Sequence, residues 1–374
     1  MYSEVISLTK KLINFKSITP VDDGVVDFLV EYLTTYKFKC EKLVFEDVTN
    51  LYARYKFEEP HFCFAGHTDV VPPGNKWSED PFNANIKDGI LYGRGAVDMK
   101  TSVAAFMVAS IEFIEKYNFK GSISFLITGD EEGKAENGTV KMLDYLKKNG
   151  HKLDSCIVGE PTCPEKLGDM IKYGRSGSLS FSLKIFGKQG HVAYPDLAHN
   201  PIDILLKILV DLKELKLDEG SDDFISSNLE ITDITVGNPI SNVIPGEAQA
   251  KFNIRFNNLH NHESLKKLIE NICKKHSKNY VLFDNLGADS FINDKESSLI
   301  NHLKSAIESV TGINPVLSTT GGTSDARFIK DYCQVIEFGL VNKTAHHIDE
   351  HVSLEDIDNL KKIYFEFLKR FFSV

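Results

Sequence analysis

Short apolar runs that stop abruptly on a histidine or a carboxylate, with helical patterns between them, are what most limit the folds open to this chain. "HFCFAGH", "SISFLITG" and "DSCIVGE" are too short to be buried helices, and each closes on glycine and a polar residue. Between them, "TSVAAFMVASIEFIEKY" and "GTVKMLDYLKKNG" carry apolar residues at helical spacing, the second ending at a glycine stop. Two amphipathic helical patterns, through about Lys39, and a strand "LYARYKF" come before them. Strands alternating with helices predict an α/β fold with a mixed sheet covered on both faces.

The rhythm changes after "YGRSGS". "LSFSLKIFG" reads as a strand, "NPIDILLKILVDLKEL" as a helix, and "NLEITDITVG" and "GEAQAKFNIRF" as strands. A helix "NHESLKKLIENICKKHS" and a strand "YVLFDNL" complete the order βαββαβ, the split-βαβ plan of a ferredoxin-like domain. The larger pattern resumes near Ser290 with "SSLINHLKSAIESVTG", "QVIEFG" and the helix "DIDNLKKIYFEFLKRFF". The expected division is therefore 1–176 and 290–374 for one domain and 177–289 for a second inserted into it; 374 residues suit two cores.

A formal net charge of −10 argues against nucleic acid or an anionic membrane as the main partner, since both select basic surfaces. Apolar runs all fall well short of a membrane span. The six cysteines, Cys40, Cys63, Cys156, Cys163, Cys273 and Cys333, form no CxxC pair, which points to a reducing cytoplasm rather than a disulfide framework. "MYSEVISLTKKLINFKSITP" reads as an amphipathic helix with lysines inside it, not as a signal peptide.

Ligands bind at strand ends in open α/β sheets, and here those ends carry metal-binding chemistry. "FCFAGHTDVV" stops on His67, with Asp69 two residues on and on the same face of an extended chain, placed to accept a hydrogen bond from the imidazole. "LYGRGAVDMK" holds Asp98 in a glycine-rich turn before a helix, where a capping role is the competing reading. "FLITGDEEGKAENG" sets Asp130, Glu131 and Glu132 after a buried strand, a costly place for three acids unless a cation is near. "CIVGEPT" ends on Glu160, and "QVIEFG" is followed by "TAHHIDEH" with His346, His347 and His351. Two histidines and three carboxylates suit two divalent ions with one carboxylate shared, leaving a glutamate as general base.

"GHTDVVPPG", "GRGAVDMK", "GEPT" and "GGTSDARF" together resemble the M20 family of co-catalytic zinc hydrolases, in the expected order and nearly end to end. That resemblance implies a zinc-hydrolase catalytic domain interrupted by a lid and dimerisation domain, with two Zn²⁺ per subunit and Co²⁺ as an alternative. It implies His67 and Glu160 on one ion, Glu132 and His346 on the other, Asp98 between them, Glu131 as base and Asp69 behind His67. His346 is chosen because the family's spacing, histidine, two residues, then Asn or Asp and Glu, fits "HHIDE" from its first histidine. A cis Asp98–Met99 peptide is implied as well.

More narrowly, the resemblance implies hydrolysis of N-succinyl-LL-2,6-diaminopimelate to succinate and LL-2,6-diaminopimelate, in diaminopimelate and lysine biosynthesis. A substrate with several carboxylates needs cations and amide donors. "YGRSGS" offers Arg175 and Ser178, "SNVIPGE" Asn242, "FNIRF" Arg255, and "TTGGTSDARF" Gly322, Thr323 and Ser324. In "GKQGHVAYP", beside Tyr194, His191 is implied to cross the interface of a homodimer formed through the inserted domain and to hold the carbonyl oxygen. A deacetylase or dipeptidase of the same fold would keep the ligands and change the carboxylate-binding loop. A metal-binding homologue without catalysis would have no use for Glu131.

Overall fold

The computed structural model describes residues 2–374, which divide into two units: 2–173, 293–318 and 324–374 form the larger, and 174–292 with 319–323 the smaller. The loop 319–323 thus groups with the smaller unit rather than with the C-terminal part. Arg175 Nη1 donates to the Thr320 carbonyl and Thr319 Oγ1 to that of Asp223, which ties the loop there.

An eight-stranded mixed sheet organises the larger unit. Its order is Lys39–Phe45, Val48–Tyr55, Ser122–Thr128, His61–His67, Ser155–Val158, Gln334–Glu337, Met170–Lys172, Val316–Ser318. Four central strands run parallel, so their C-terminal ends lie side by side: His67 is level with Thr128, and Ala65 with Val158. Every residue of His61–His67 and of Ser122–Thr128 is buried. That is why these strands read as continuous apolar runs rather than as alternating ones. The helix Lys100–Lys116 is buried on nearly every side, as its small and apolar residues all round require. Phe106 stacks on Phe64 of the sheet, ring centroids 4.3 Å apart, and meets Tyr364 of the terminal helix Leu354–Phe371 at 5.0 Å.

The smaller unit has a four-stranded antiparallel sheet in the order Asn228–Thr235, Glu247–Phe256, Gly177–Phe186, Tyr280–Ala288. Helices Pro201–Glu214 and His262–His276 complete the βαββαβ order. Gly177–Phe186 alternates buried and half-buried residues along its length, the mark of a sheet with one covered face. Leu179, Phe181, Leu183 and Ile185 form the core with Leu205, Ile208 and Leu212 of the first helix and Ile269 of the second.

At the end of its strand opposite His67, His61 is buried neutral. Nδ1 donates to the Lys152 carbonyl at 2.5 Å and Nε2 accepts from Ser124 Oγ at 2.8 Å. Burial, aided by the Arg54 charge, pushes its pKa down to about 4. The unfolded chain takes up a proton below the ordinary value near 6.5 and the folded chain does not, so stability falls as pH drops from about 6.5 towards 4. At about 1.4 kcal/mol per pH unit, the loss is on the order of 3 kcal/mol. Urea unfolding of wild type and His61→Gln at pH 7 and 4.5 checks this: the variant should show the smaller decline, and equal declines would contradict the assignment.

Candidate metal centre

The parallel strand ends converge on two overlapping clusters. His67, Asp98 and Glu160 form one and Asp98, Glu132 and His346 the other, each offering ligand atoms within 4.8 Å of one another. Asp98 is divided between them: Oδ1 lies 3.1 Å from His67 Nε2, and Oδ2 lies 3.2 Å from His346 Nε2. Glu132 Oε1 is 2.7 Å from His346 Nε2, and Glu160 Oε1 is 3.7 Å from His67 Nε2.

Local structure accounts for each placement. His67 and Glu160 directly follow Gly66 and Gly159, where a Cβ would lie 2.5 and 2.7 Å from Met99 Cε. Only glycine lets the Met99 side chain tuck in behind both residues. Asp98 is not spent on capping, because the N-cap position of the helix Lys100–Lys116 falls on Met99. The Asp98–Met99 peptide is cis. Of the three consecutive acids, Asp130 turns back to accept the N–H groups of Lys134, Glu136 and Asn137, all at 3.0 Å. Glu132 is left for the second cluster, and Glu131 stands close enough to feel the charges of His67, Glu132 and Asp98 without belonging to either cluster.

Asp69 supports His67 differently from the sequence expectation. The Nδ1 proton goes to the Asp69 backbone carbonyl at 2.9 Å, while the carboxylate lies 3.6 Å away. The turn after the strand aims that carboxylate at the N–H groups of Glu131 and Glu132, at 3.3 and 3.1 Å. Asp69 therefore orients the ring through its main chain and the two glutamates through its side chain.

The electrostatics fit cations. With Nδ1 as donor, a neutral His67 turns its Nε2 lone pair onto carboxylate oxygens, which satisfies neither side unless a cation or a proton lies between. Burial works against charge on His67, but the Asp98 hydrogen bond and the charges of Glu160 and Asp69 hold its pKa well above the ordinary value. Hydrogen bonds to Asp98 and Glu132 push His346 up to about 10. Burial, then the charges of Asp325, Glu132 and Asp98, raises Glu131 well above the carboxylate range; Glu160 is raised by burial and by Asp98 and Glu131. Glu160 Oε1 is buried without a hydrogen-bond partner. Carboxylates this crowded are what divalent ions neutralise, and the oxygen and imidazole donors suit zinc.

Within "TAHHIDEH", only His346 turns to the clusters. Its φ of +62° swings the side chain off the line of the loop. His347 is exposed, and His351 Nδ1 donates to the Asp349 carbonyl at 2.7 Å with its ring centroid 5.1 Å from Tyr92. Sequence reasoning gave no role to Glu350, Arg94 or Asp325. Glu350 and Arg94 are buried and paired at 2.8 Å, while Asp325, buried, accepts from Thr139 Oγ1 at 2.6 Å. Ionised groups inside a glycine-rich turn and beside a ligand motif were the available signals.

Most expected substrate residues lie in the smaller unit, in three groups. Arg175 is near the loop carrying Gly322 and Thr323; at Gly321, φ +106°, a Cβ would meet its guanidinium at 2.4 Å. Ser178 and Arg255 face each other across paired strands, and Asn253 Nδ2 donates to Ser178 Oγ at 3.2 Å. His191 and Asn242 meet where Val192 N–H donates to the Asn242 carbonyl at 3.1 Å. His191 Nδ1 accepts the Ala193 N–H at 3.0 Å, so in the neutral ring Nε2 carries the proton; Tyr194, exposed, has its ring 5.8 Å away. Ser324 lies apart from these groups. It belongs to the larger unit, is buried, and donates its hydroxyl to Glu337 at 2.5 Å.

The sequence model of peptidase family M20/M25/M40 matches residues 63–370. A succinyl-diaminopimelate desuccinylase of Rickettsia felis is 50% identical over 97% of this chain and 98% of its own. Among solved structures, the M20 family metallo-carboxypeptidase Sso-CP2 of Sulfolobus solfataricus has the same fold, with a TM-score of 0.83 at 20% identity and 100% of both chains covered. The YXEP protein of Bacillus subtilis, described as a dinuclear metal-binding peptidase, follows at 0.74 and 16% identity, covering 99% of this chain and 98% of that one. This chain belongs to peptidase family M20/M25/M40.

Proposed function

We propose that the chain hydrolyses N-succinyl-LL-2,6-diaminopimelate to succinate and LL-2,6-diaminopimelate at a site holding two zinc ions, with cobalt able to replace them. The division of the Asp98 carboxylate between two ligand clusters, with Glu131 half-buried beside them, carries this reading. His67 and Glu160 hold one ion, Glu132 and His346 the other, and Asp98 both. When bound, the ions acidify a water and polarise the amide carbonyl. Glu131 takes the proton of the attacking water and returns it to the departing amine nitrogen.

Substrate carboxylates are assigned to Arg175, Ser178, Tyr194, Asn242, Arg255, Gly322 and Thr323. The full-length likeness to a desuccinylase and the two arginines of the smaller unit support the succinyl substrate. Metal-loaded protein should release succinate from N-succinyl-LL-2,6-diaminopimelate with kcat/KM about 100-fold above N-acetylornithine or any dipeptide of a panel. Faster turnover of either rival would overturn the substrate assignment.

The smaller unit is proposed to form a homodimer in which His191, donating through Nε2, serves the partner copy's site. On the helix Pro201–Glu214, Leu206 and Val210 are each 53% exposed and one turn apart; Ile234 of the edge strand Asn228–Thr235 is 55% exposed. An outward apolar stripe beside an unpaired strand edge suits a second copy. Leu206→Asp with Val210→Asp should sediment as monomer, and a dimeric variant would contradict this surface. Six free thiols support a reducing cytoplasm as the place of action. Among the described residues no helix is long and apolar enough to cross a membrane.

A further inference from the structure

We propose that Glu350, acting with Arg94, is a positioning residue that holds the two metal clusters in register. This rests on the metal-site reading above and assigns a task to residues that are not ligands. The Glu350 side chain is fully buried and uses both oxygens twice. Oε1 accepts the N–H groups of Val97 and Asp98 at 2.7 and 3.0 Å. Oε2 accepts the Gly95 N–H at 3.0 Å and Arg94 Nη1 at 2.8 Å. Its own carbonyl takes the Gly93 N–H at 2.9 Å. A carboxylate from the histidine loop thus satisfies the backbone of the glycine-rich turn that presents Asp98.

Arg94 extends the clamp. Its Nη2 reaches the carbonyls of Pro73 and His346, both at 3.4 Å. Trp77, the chain's one tryptophan, covers the guanidinium at 5.2 Å and donates its indole N–H to the Pro73 carbonyl at 2.7 Å. The loop that follows His67, the turn bearing Asp98 and the histidine loop therefore meet at one buried ion pair. His346 has the most exposed side chain of the five ligands, at 49%. Groups that orient ligands in this way are worth about 10- to 100-fold in metal affinity.

The inference predicts that Glu350→Gln, whose amide NH₂ would face backbone N–H donors, binds zinc about 10- to 100-fold more weakly in chelator competition. Excess zinc should restore kcat, and KM should not change. Arg94→Lys keeps a cation near the carboxylate but cannot span both carbonyls; it should weaken zinc by about 10-fold and decides the matter if Glu350→Gln does not fold. Either variant binding zinc as tightly as wild type, or a kcat loss that excess zinc leaves in place, overturns the inference alone. Wild type that takes up no zinc overturns the metal-site reading, and this one with it.

Discussion

Glu131→Gln is expected to lower kcat by about 10²- to 10⁴-fold while both metal ions stay bound. The amide matches the carboxylate in shape but cannot carry a proton between water and amine, and Glu131 belongs to neither ligand cluster. A second consequence separates this from general damage. Glu131 is half-buried, and desolvation with the charges of Asp325, Glu132 and Asp98 makes its own charge unfavourable in the metal-free fold. Metal-free Glu131→Gln should unfold at the same temperature as wild type or higher. Steady-state kinetics with metal analysis and a thermal scan read all three results. Turnover within about tenfold of wild type would remove Glu131 from the role of base.

His346→Ala should reduce the bound metal to about one ion per chain and depress kcat with it. Without the imidazole, the second cluster keeps only Glu132 and a share of Asp98, whereas the first keeps His67, Glu160 and Asp98. His347→Ala should keep both ions and near-normal turnover, since that residue is exposed and outside both clusters. Metal analysis after dialysis distinguishes the two. Equal losses, or a loss confined to His347→Ala, would mean that the histidine loop had been read one residue out.

Much of the fold was legible because burial leaves a signature along the chain. Strands enclosed on both faces, such as His61–His67 and Ser122–Thr128, read as unbroken apolar runs, and Gly177–Phe186 with one face covered alternates. Strand ends were visible for the same reason, and His67, Glu132 and Glu160 sit at or just past them, while Asp98 comes from the turn before the helix Lys100–Lys116. Residues whose partners are remote in sequence were not visible. Glu350 entered only as the last residue of the histidine spacing, since the backbone it serves lies more than 250 residues earlier. Asp130 could not be separated from Glu131 and Glu132, because only the path of the turn decides which acid folds back. The bond from the Ser324 hydroxyl to Glu337 was invisible for the same reason, since packing and not residue type selects it.

Whether two ions share Asp98 can be read from anomalous diffraction of zinc-loaded crystals. Two peaks per chain are expected, one among His67, Asp98 and Glu160 and one among Asp98, Glu132 and His346, with Asp98 ligating both. A single peak under saturating zinc, or a second ion held without His346, would contradict it.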